Sequence, residues 1–341
     1  MKKRIMVIGF LVYALAAHAA VLYVDKNLSD GFWIDSYSEL SEALSAAADG
    51  DEIWVAAGVY KPGKERDSRF ELKPGVKIYG GFYGGESSRE DRDWIKNPTV
   101  LSGDTGIEGA SEDNVFSIIY YDGILDKETV IDGFILRDGN ADGETPGAAM
   151  YLVNGADLLI RNCRFADNRS ATYGAAVYTT GGPVFEYCLF EENRAQTGGA
   201  VYIREDNKTS GTPRFTHCTF AGNTAAEGAA VYIAKHESVV VDSCIFWNNT
   251  KTTGGISSFR LDNRGKGAST IRNTALDDGS ISSDFQSENL LYYRSSEIYG
   301  PFKNTDNYLI DKRSGIPQDY GWYYVPPPLV LNIRVFLEGP M

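Results

Sequence analysis

The sequence predicts an all-β solenoid, because two short patterns alternate four times between Gly147 and Gly255. The first pattern has the form G-[AG]-A-[MV]-Y, and the second is C-x-F-x-x-N. The cysteines of successive copies lie 25, 30 and 26 residues apart. A period of this length is typical of solenoids, in which each unit buries its apolar face only against its neighbours.

The spacing within each repeat indicates the kind of solenoid. Apolar residues recur at every second position, as in strands, but the step from Ile160 to Cys163 is three residues and requires a bend between two short strands. Repeats of about 25 residues, rich in Gly and β-branched residues, leave no room for a helix. A leucine-rich repeat would need L-x-x-L-x-L-x-x-N and a helical return limb, and the chain has neither. We therefore expect a single-stranded right-handed parallel β-helix.

In this fold each residue lies about 4.8 Å from its counterpart one coil on, so identical side chains form columns. We expect three structural ladders inside the solenoid, including one in which each Asn amide donates to the next. The ladder residues are Cys163, Cys188, Cys218 and Cys244; Phe165, Phe190, Phe220 and Phe246; and Asn168, Asn193, Asn223 and Asn249.

Four cysteines in a secreted chain would allow two disulfides. Because stacked Cβ atoms would be farther apart than the roughly 3.8 Å that a disulfide prefers, we expect buried free thiols.

The repeat pair of GGA-hydrophobic and F-x-x-N resembles that of the polymorphic membrane proteins of chlamydiae. It is equally similar to the broader group of secreted bacterial right-handed β-helix repeat proteins, whose openings resemble the stretches at 50–62, 72–82 and 129–139. The resemblance implies a surface protein of adhesin type. Polymorphic membrane proteins end in a C-terminal β-barrel, whereas no run of barrel strands precedes Met341, so we expect no anchoring by such a barrel.

Residues 1–19 have the features of a secretory signal peptide. A basic start is followed by the apolar run Ile5–Ala17 and by a small-x-small cleavage site at Ala17–Ala19. Loss of this segment changes the formal net charge from -13 to -16, which argues against nucleic acid and anionic membranes as partners. We expect Sec-dependent export to the exterior or outer surface of a bacterium, with no transmembrane segment in the mature chain.

Three segments make up the expected domain organisation. The signal peptide precedes a β-helix over 20–280, and a C-terminal coil or cap follows over 281–341. Within 38–48, Leu40, Ala43, Leu44 and Ala47 form one apolar stripe of an amphipathic helix. We expect this helix to cap the N-terminal end of the solenoid, where unpaired strand edges would otherwise be exposed.

The sequence predicts no catalytic residue and no cofactor. Many parallel β-helices are pectate lyases or polygalacturonases, but their local acidic and basic signatures are absent. His217 and His236 have no matching acidic motif, and an outward, solvated position is the better interpretation for His217. The chain is therefore interpreted as a non-enzyme, with a polysaccharide lyase as the enzyme alternative.

A partial calcium-loop pattern, D-x-N-x-D-G, begins at Asp138 and includes Asn140 and Asp142. The completing glutamate is missing, because Ala149 stands at the twelfth place. A tight Asx-rich turn explains these residues equally well. We therefore expect no metal site here.

Tyr151, Tyr178, Tyr202 and Tyr232 are predicted to stack on the outer surface as an aromatic strip that packs on sugar rings. The alternatives are that a loop covers the strip or that stacking only stabilises the sheet.

The expected function is a secreted or cell-surface, non-enzymatic adhesin-like or glycan-binding module, with a polysaccharide or surface glycan as partner. The alternatives are a lyase or glycoside hydrolase acting on acidic polysaccharides and a structural envelope component. The oligomeric state is left open.

Overall fold

The chain forms a parallel β-helix of about eight turns in a computed structural model, as the repeats predict. The structure describes residues 19–27, 33–143, 145–205, 211–235, 238–256, 258–262, 269–277, 285–288 and 291–293. All strand pairs within the three main sheets are parallel and join one coil to the next. The apolar core of the solenoid lies in the space that the three sheets enclose.

Each complete coil contributes one strand to each sheet, and the sheets are named here in the order in which a coil visits them. The first sheet comprises Val21–Val24, Glu52–Ala56, Lys77–Phe82, Val130–Asp132, Leu159–Arg161, Val184–Glu186, Arg214–Thr216, Val240–Asp242, Ser269–Arg272 and Phe285–Glu288. The second comprises Gly58–Tyr60, Thr99–Ser102, Phe134–Arg137, Arg164–Ala166, Leu189–Glu191, Thr219–Ala221, Ile245–Trp247, Ala275–Asp277 and Leu291–Tyr293. The third comprises Phe70–Glu71, Ile119–Asp122, Met150–Val153, Val177–Thr180, Val201–Arg204, Val231–Ala234 and Phe259–Asp262.

The remaining elements are short. Two small parallel pairs join Asn140–Ala141 to Arg169–Ser170 and Thr224–Ala225 to Thr250–Lys251. Two 3-10 helices lie at Arg89–Asp91 and Ser111–Asp113. One α-helix spans Leu40–Ala46.

The phenylalanine ladder is confirmed by strand register, which pairs each of its members with the next. The rings of Phe190 and Phe220 are 4.7 Å apart with 4° between their planes, and those of Phe220 and Phe246 are 4.8 Å apart. All four side chains are fully buried. Burial of large apolar side chains at every coil is the main stabilising contribution of this column.

The asparagine ladder is confirmed by a continuous chain of hydrogen bonds. The Nδ2 atoms of Asn168 and Asn193 each donate to the Oδ1 atom of the next Asn at 3.0 Å, and that of Asn223 donates at 2.9 Å. Each Oδ1 atom also accepts a backbone N–H of the preceding coil. The ladder needs an amide because one side chain must donate to one neighbour and accept from the other.

The four cysteines are buried free thiols, as predicted. Each sulfur atom contacts carbonyl oxygens, such as Ile131 O at 3.8 Å from Cys163 Sγ. Burial raises the pKa of Cys163 to about 12, and it raises the pKa of the other three thiols as well. The column therefore consists of unreactive core residues.

The corner between the second and third sheets determines which side chains reach the surface. At Asp138, Asp167, Glu192 and Asn248 the backbone is left-handed, with φ between 52° and 65°. The following ladder Asn is buried, whereas Asp167, Glu192 and Asn248 are exposed. A single left-handed residue per coil thus turns the chain and presents one outward side chain at this corner.

The α-helix is shorter than the predicted range of 38–48, because Glu39 and Ala47 already have extended backbone conformations. Leu40, Ala43 and Leu44 are buried in the solenoid core. Its role as a cap, like the proposed domain boundaries, stays a prediction.

Most of the predicted signal peptide, residues 1–18, lies outside the described residues, as does most of the C-terminal segment 281–341. Among the described residues, no helix is long and apolar enough to cross a membrane.

Candidate functional site

The four tyrosines predicted to bind a ligand lie in one column on the outer face of the third sheet. Strand register places each of them directly opposite the next. Tyr120 of the preceding coil extends the column by one residue. The repeat pattern does not predict Tyr120, because its strand lacks the Gly-Ala lead of the later coils.

Ring packing determines what the tyrosine column offers to solvent. The rings of Tyr178 and Tyr202 are 5.4 Å apart with 6° between their planes, and those of Tyr202 and Tyr232 are 5.3 Å apart with 3°. Both faces of Tyr202 are therefore occupied by neighbouring rings, and Tyr178 is only 9% exposed. This part of the column presents ring edges and hydroxyl groups, whereas stacking on a sugar needs an open ring face. Saccharide binding at the column stays a prediction.

We expect the stability of the protein to fall between about pH 10 and 12. Burial, with the adjacent Tyr178 next in effect, raises the pKa of Tyr202 to about 12, whereas an unfolded tyrosine ionises near pH 10. The unfolded state therefore loses its proton first as the pH rises, which lowers the free energy of unfolding. Urea titrations at pH 9 and 11 should show a smaller decrease for Tyr202→Phe than for the wild type. Equal decreases would contradict this assignment.

The residues of the partial calcium pattern are engaged with other parts of the chain. Asp142 Oδ2 accepts from Arg66 at 3.0 Å, and Asn140 Nδ2 donates to the carbonyl of Ser111 at 2.7 Å. In the part of the chain that the structure describes, no three His, Cys, Asp or Glu side chains are placed to hold a metal.

A column of carboxylates lies at the corner between the second and third sheets. The paired strands of the second sheet place Arg137, Ala166 and Glu191 opposite one another, so the residues that follow them also stack. These are Asp138, Asp167 and Glu192. Glu192 reaches toward the next coil, because a Cβ atom added to Gly222 would lie 2.1 Å from Glu192 Oε1. Glycine at this place leaves room for the carboxyl group.

The environment of this column raises the pKa of two of its acids. Although Glu192 is exposed overall, its carboxyl group is partly desolvated by the neighbouring coils. This desolvation, followed by repulsion from Asp167 and Glu191, raises the pKa of Glu192. Burial also raises the pKa of Asp138, although the nearby Arg137 opposes the effect. An exposed carboxylate, Asp167, thus lies between two acids that hold their protons more strongly than usual.

A column of arginines lies two residues beyond the carboxylates. Arg169 and Arg194 stand opposite each other on neighbouring coils, and both are exposed. Neither forms an ion pair with the residues that the structure describes. The buried ladder residues Asn168 and Asn193 separate the two columns. Residues 167–169 and 192–194 thus form two stacked triplets, named here D-N-R and E-N-R. Each triplet presents an acidic group beside a guanidinium group that has no ion-pair partner among the described residues.

Charged residues on the first sheet have a different arrangement. Asp132 is fully buried and pairs with Arg92 at 2.7 Å and with Arg161 at 2.6 Å. Asp242 pairs with Arg272 at 2.7 Å. These charges neutralise each other, so their role is structural. The carboxylate and arginine columns are the better candidate for chemistry.

The sequence contained a signal for this site that the repeat pattern concealed. The variable position before each ladder Asn is acidic in two successive coils, and the position after it is Arg in the same two coils. In a parallel β-helix, such coincidences place like residues side by side.

Comparisons with known proteins agree with the observed fold. A family model described as a right handed beta helix region matches residues 90–275 and 152–316. The chain belongs to this right-handed β-helix family. No curated protein matches it.

Solved structures similar to this family member include pectin methylesterases. Two crystal structures of the enzyme from Aspergillus niger, in deglycosylated and penultimately deglycosylated forms, share 14% identity with it. Each alignment covers 85% of this chain and 94% of the other, with a TM-score of 0.39. The carrot enzyme shares 11% identity over 82% of this chain and 81% of its own, with a TM-score of 0.33.

The expectation of a non-enzymatic adhesin-like or glycan-binding module is contradicted by these neighbours, which are named as enzymes, and the enzyme alternative is better backed. At this level of identity the similarity concerns the fold alone. The chemistry available to this β-helix protein must therefore be argued from its own residues.

Proposed function

We propose that this β-helix protein is a glycoside hydrolase that cleaves anionic polysaccharides at the D-N-R and E-N-R triplets. The observation that supports the proposal is the pairing of two outward carboxylates on adjacent coils with two exposed arginines on the same coils. Each group has a distinct task in hydrolysis.

Glu192 is the proposed general acid. Its raised pKa favours the protonated form, which a general acid needs in order to protonate the glycosidic oxygen. Asp167, one coil away, is the proposed base or nucleophile. Two carboxyl groups with different proton affinities are the usual requirement of glycoside hydrolysis.

Arg169 and Arg194 are the proposed substrate-binding residues. A guanidinium group binds a carboxylate through two parallel hydrogen bonds, so successive arginines suit the uronic acids of an acidic polysaccharide. The rest of the mature chain is acidic and would repel such a polymer. The arginine column therefore supplies local attraction at the site where cleavage is proposed.

A product assay on the purified mature chain tests this function. We expect reducing ends to accumulate from a polyuronate at least about tenfold faster than from a neutral glycan of similar length, because Arg contacts stabilise only the anionic polymer. Unsaturated uronate products would indicate elimination and contradict hydrolysis. Release of methanol without new reducing ends would indicate an esterase, and no product from any polymer would also contradict the proposal.

A further inference from the structure

A loop at 104–114 carries an unusual concentration of negative charge close to the solenoid surface. It contains Asp104, Glu108, Glu112 and Asp113 and no Lys, Arg or His. The backbone N–H of Val115 donates to the carbonyl of Gly103 at 2.9 Å and closes the base of the loop. Asp104 and Asn114, the first and last residues of the loop, therefore lie next to this bond.

Each of the two aspartates uses one carboxylate oxygen to hold the loop. Asp104 Oδ2 accepts the backbone N–H of Gly109 at 3.1 Å, and Asp113 Oδ2 accepts that of Ile107 at 2.7 Å. The other oxygen of each carboxylate, Oδ1, is buried and has no hydrogen-bond partner. Neither aspartate forms an ion pair with a described Lys or Arg.

A third buried oxygen belongs to Asn114, a residue that is only 6% exposed. Its Nδ2 atom donates to the carbonyl of Asp138 at 2.7 Å, which fixes the amide at the neck of the loop. Its Oδ1 atom is buried without a partner. An uncompensated buried oxygen is costly, and two of these three belong to carboxylates. The nearby Arg66 donates to the backbone carbonyl of Asn114 at 2.9 Å, but it forms its ion pair with Asp142 rather than with either loop aspartate.

We propose that the loop binds one calcium ion through the Oδ1 atoms of Asp104, Asp113 and Asn114. Calcium takes carboxylate and amide oxygens as ligands, and its remaining ligands would be backbone carbonyl oxygens and water. Magnesium demands stricter octahedral geometry and retains more water, so this irregular loop favours calcium. The loop contacts the D-x-N-x-D-G pattern through Asp138 and Asn140, but the Asp142 carboxylate of that pattern is paired with Arg66 and is not among the proposed ligands.

Calorimetric titration of the chelator-treated mature chain with calcium chloride tests the proposal in the absence of polysaccharide. We expect one calcium ion per chain with a Kd of about 1 mM or tighter, as in extracellular calcium modules, and a higher Tm in calcium than in EGTA. The same concentration of magnesium should raise the Tm less. Absence of calcium binding at about 5 mM would overturn the proposal.

Two matched double variants separate a built site from diffuse attraction. Asp104→Asn with Asp113→Asn removes two charges but keeps an acceptor for each backbone N–H, and should weaken binding at least tenfold. Glu108→Gln with Glu112→Gln makes the same charge change at exposed positions of the same loop and should alter the Kd less than about threefold. Equal weakening by both pairs, or unchanged binding in the first, would overturn the proposal. Circular dichroism establishes that each variant is folded.

Discussion

Asp167→Asn is expected to cleave anionic polysaccharide about 100- to 10,000-fold more slowly than the wild type, because acid–base groups typically contribute this much. The replacement has nearly the same shape and removes the charge that the base or nucleophile needs. Asn is tolerated in the left-handed conformation of this position, as Asn248 of the same column shows. Initial rates at saturating substrate measure the effect directly.

Glu227→Gln is the matched control for this variant. Glu227 is also exposed and acidic, but it precedes the strand of the third sheet and forms an isolated backbone β-bridge with Thr197. Its replacement should leave the rate within about twofold of the wild type, as expected for a surface change away from the site. Full activity of a folded Asp167→Asn variant would exclude Asp167 from catalysis.

Phe220→Ala is expected to destabilise the solenoid by about 3–5 kcal/mol, the usual cost of deleting a large buried aromatic side chain. Phe220 is fully buried and stacks on a phenylalanine in both neighbouring coils. A third ring, that of Phe215, meets it edge-on at 5.6 Å. The cavity would thus open at the junction of three coils. Denaturant titration followed by tyrosine and tryptophan fluorescence measures the loss.

Tyr173→Ala is the control for the core variant. Tyr173 is 43% exposed and packs on Tyr202 from outside the column. Its removal should cost less than about 1 kcal/mol, because little apolar area returns to water. A similar small loss for Phe220→Ala would mean that the phenylalanine column does not carry the stability of the coils.

The sequence predicted the columns well, because a parallel β-helix converts a repeat directly into spatial contact. Once the period is known, Phe190 must lie over Phe165 and Asn193 over Asn168, and strand register and hydrogen bonds confirm both. No long-range geometry has to be guessed for such residues. The same logic predicted that the four tyrosines stack in one column, and strand register aligns them on the third sheet.

The candidate site was harder to predict, because it uses positions at which the repeat varies. Asp167 and Glu192 are followed in later coils by Gly222 and Asn248, so no single residue type marks their column. Their chemical character depends on burial and on mutual repulsion, which the repeat does not specify. The loop at 104–114 lies before the recognisable repeats, and only the structure shows which of its oxygens are buried.

Direct titration of the Glu192 carboxyl group shows whether the stacked coils raise its pKa beside Asp167. Carbon-13 NMR of the glutamate-labelled protein, with Glu192→Gln to assign the signal, reports this group without any substrate. We expect a pKa above the ordinary glutamate value of about 4.3 and a downward shift in Asp167→Asn, because that variant removes a repelling charge. A pKa at or below the ordinary value, or one that Asp167→Asn leaves unchanged, would contradict this expectation.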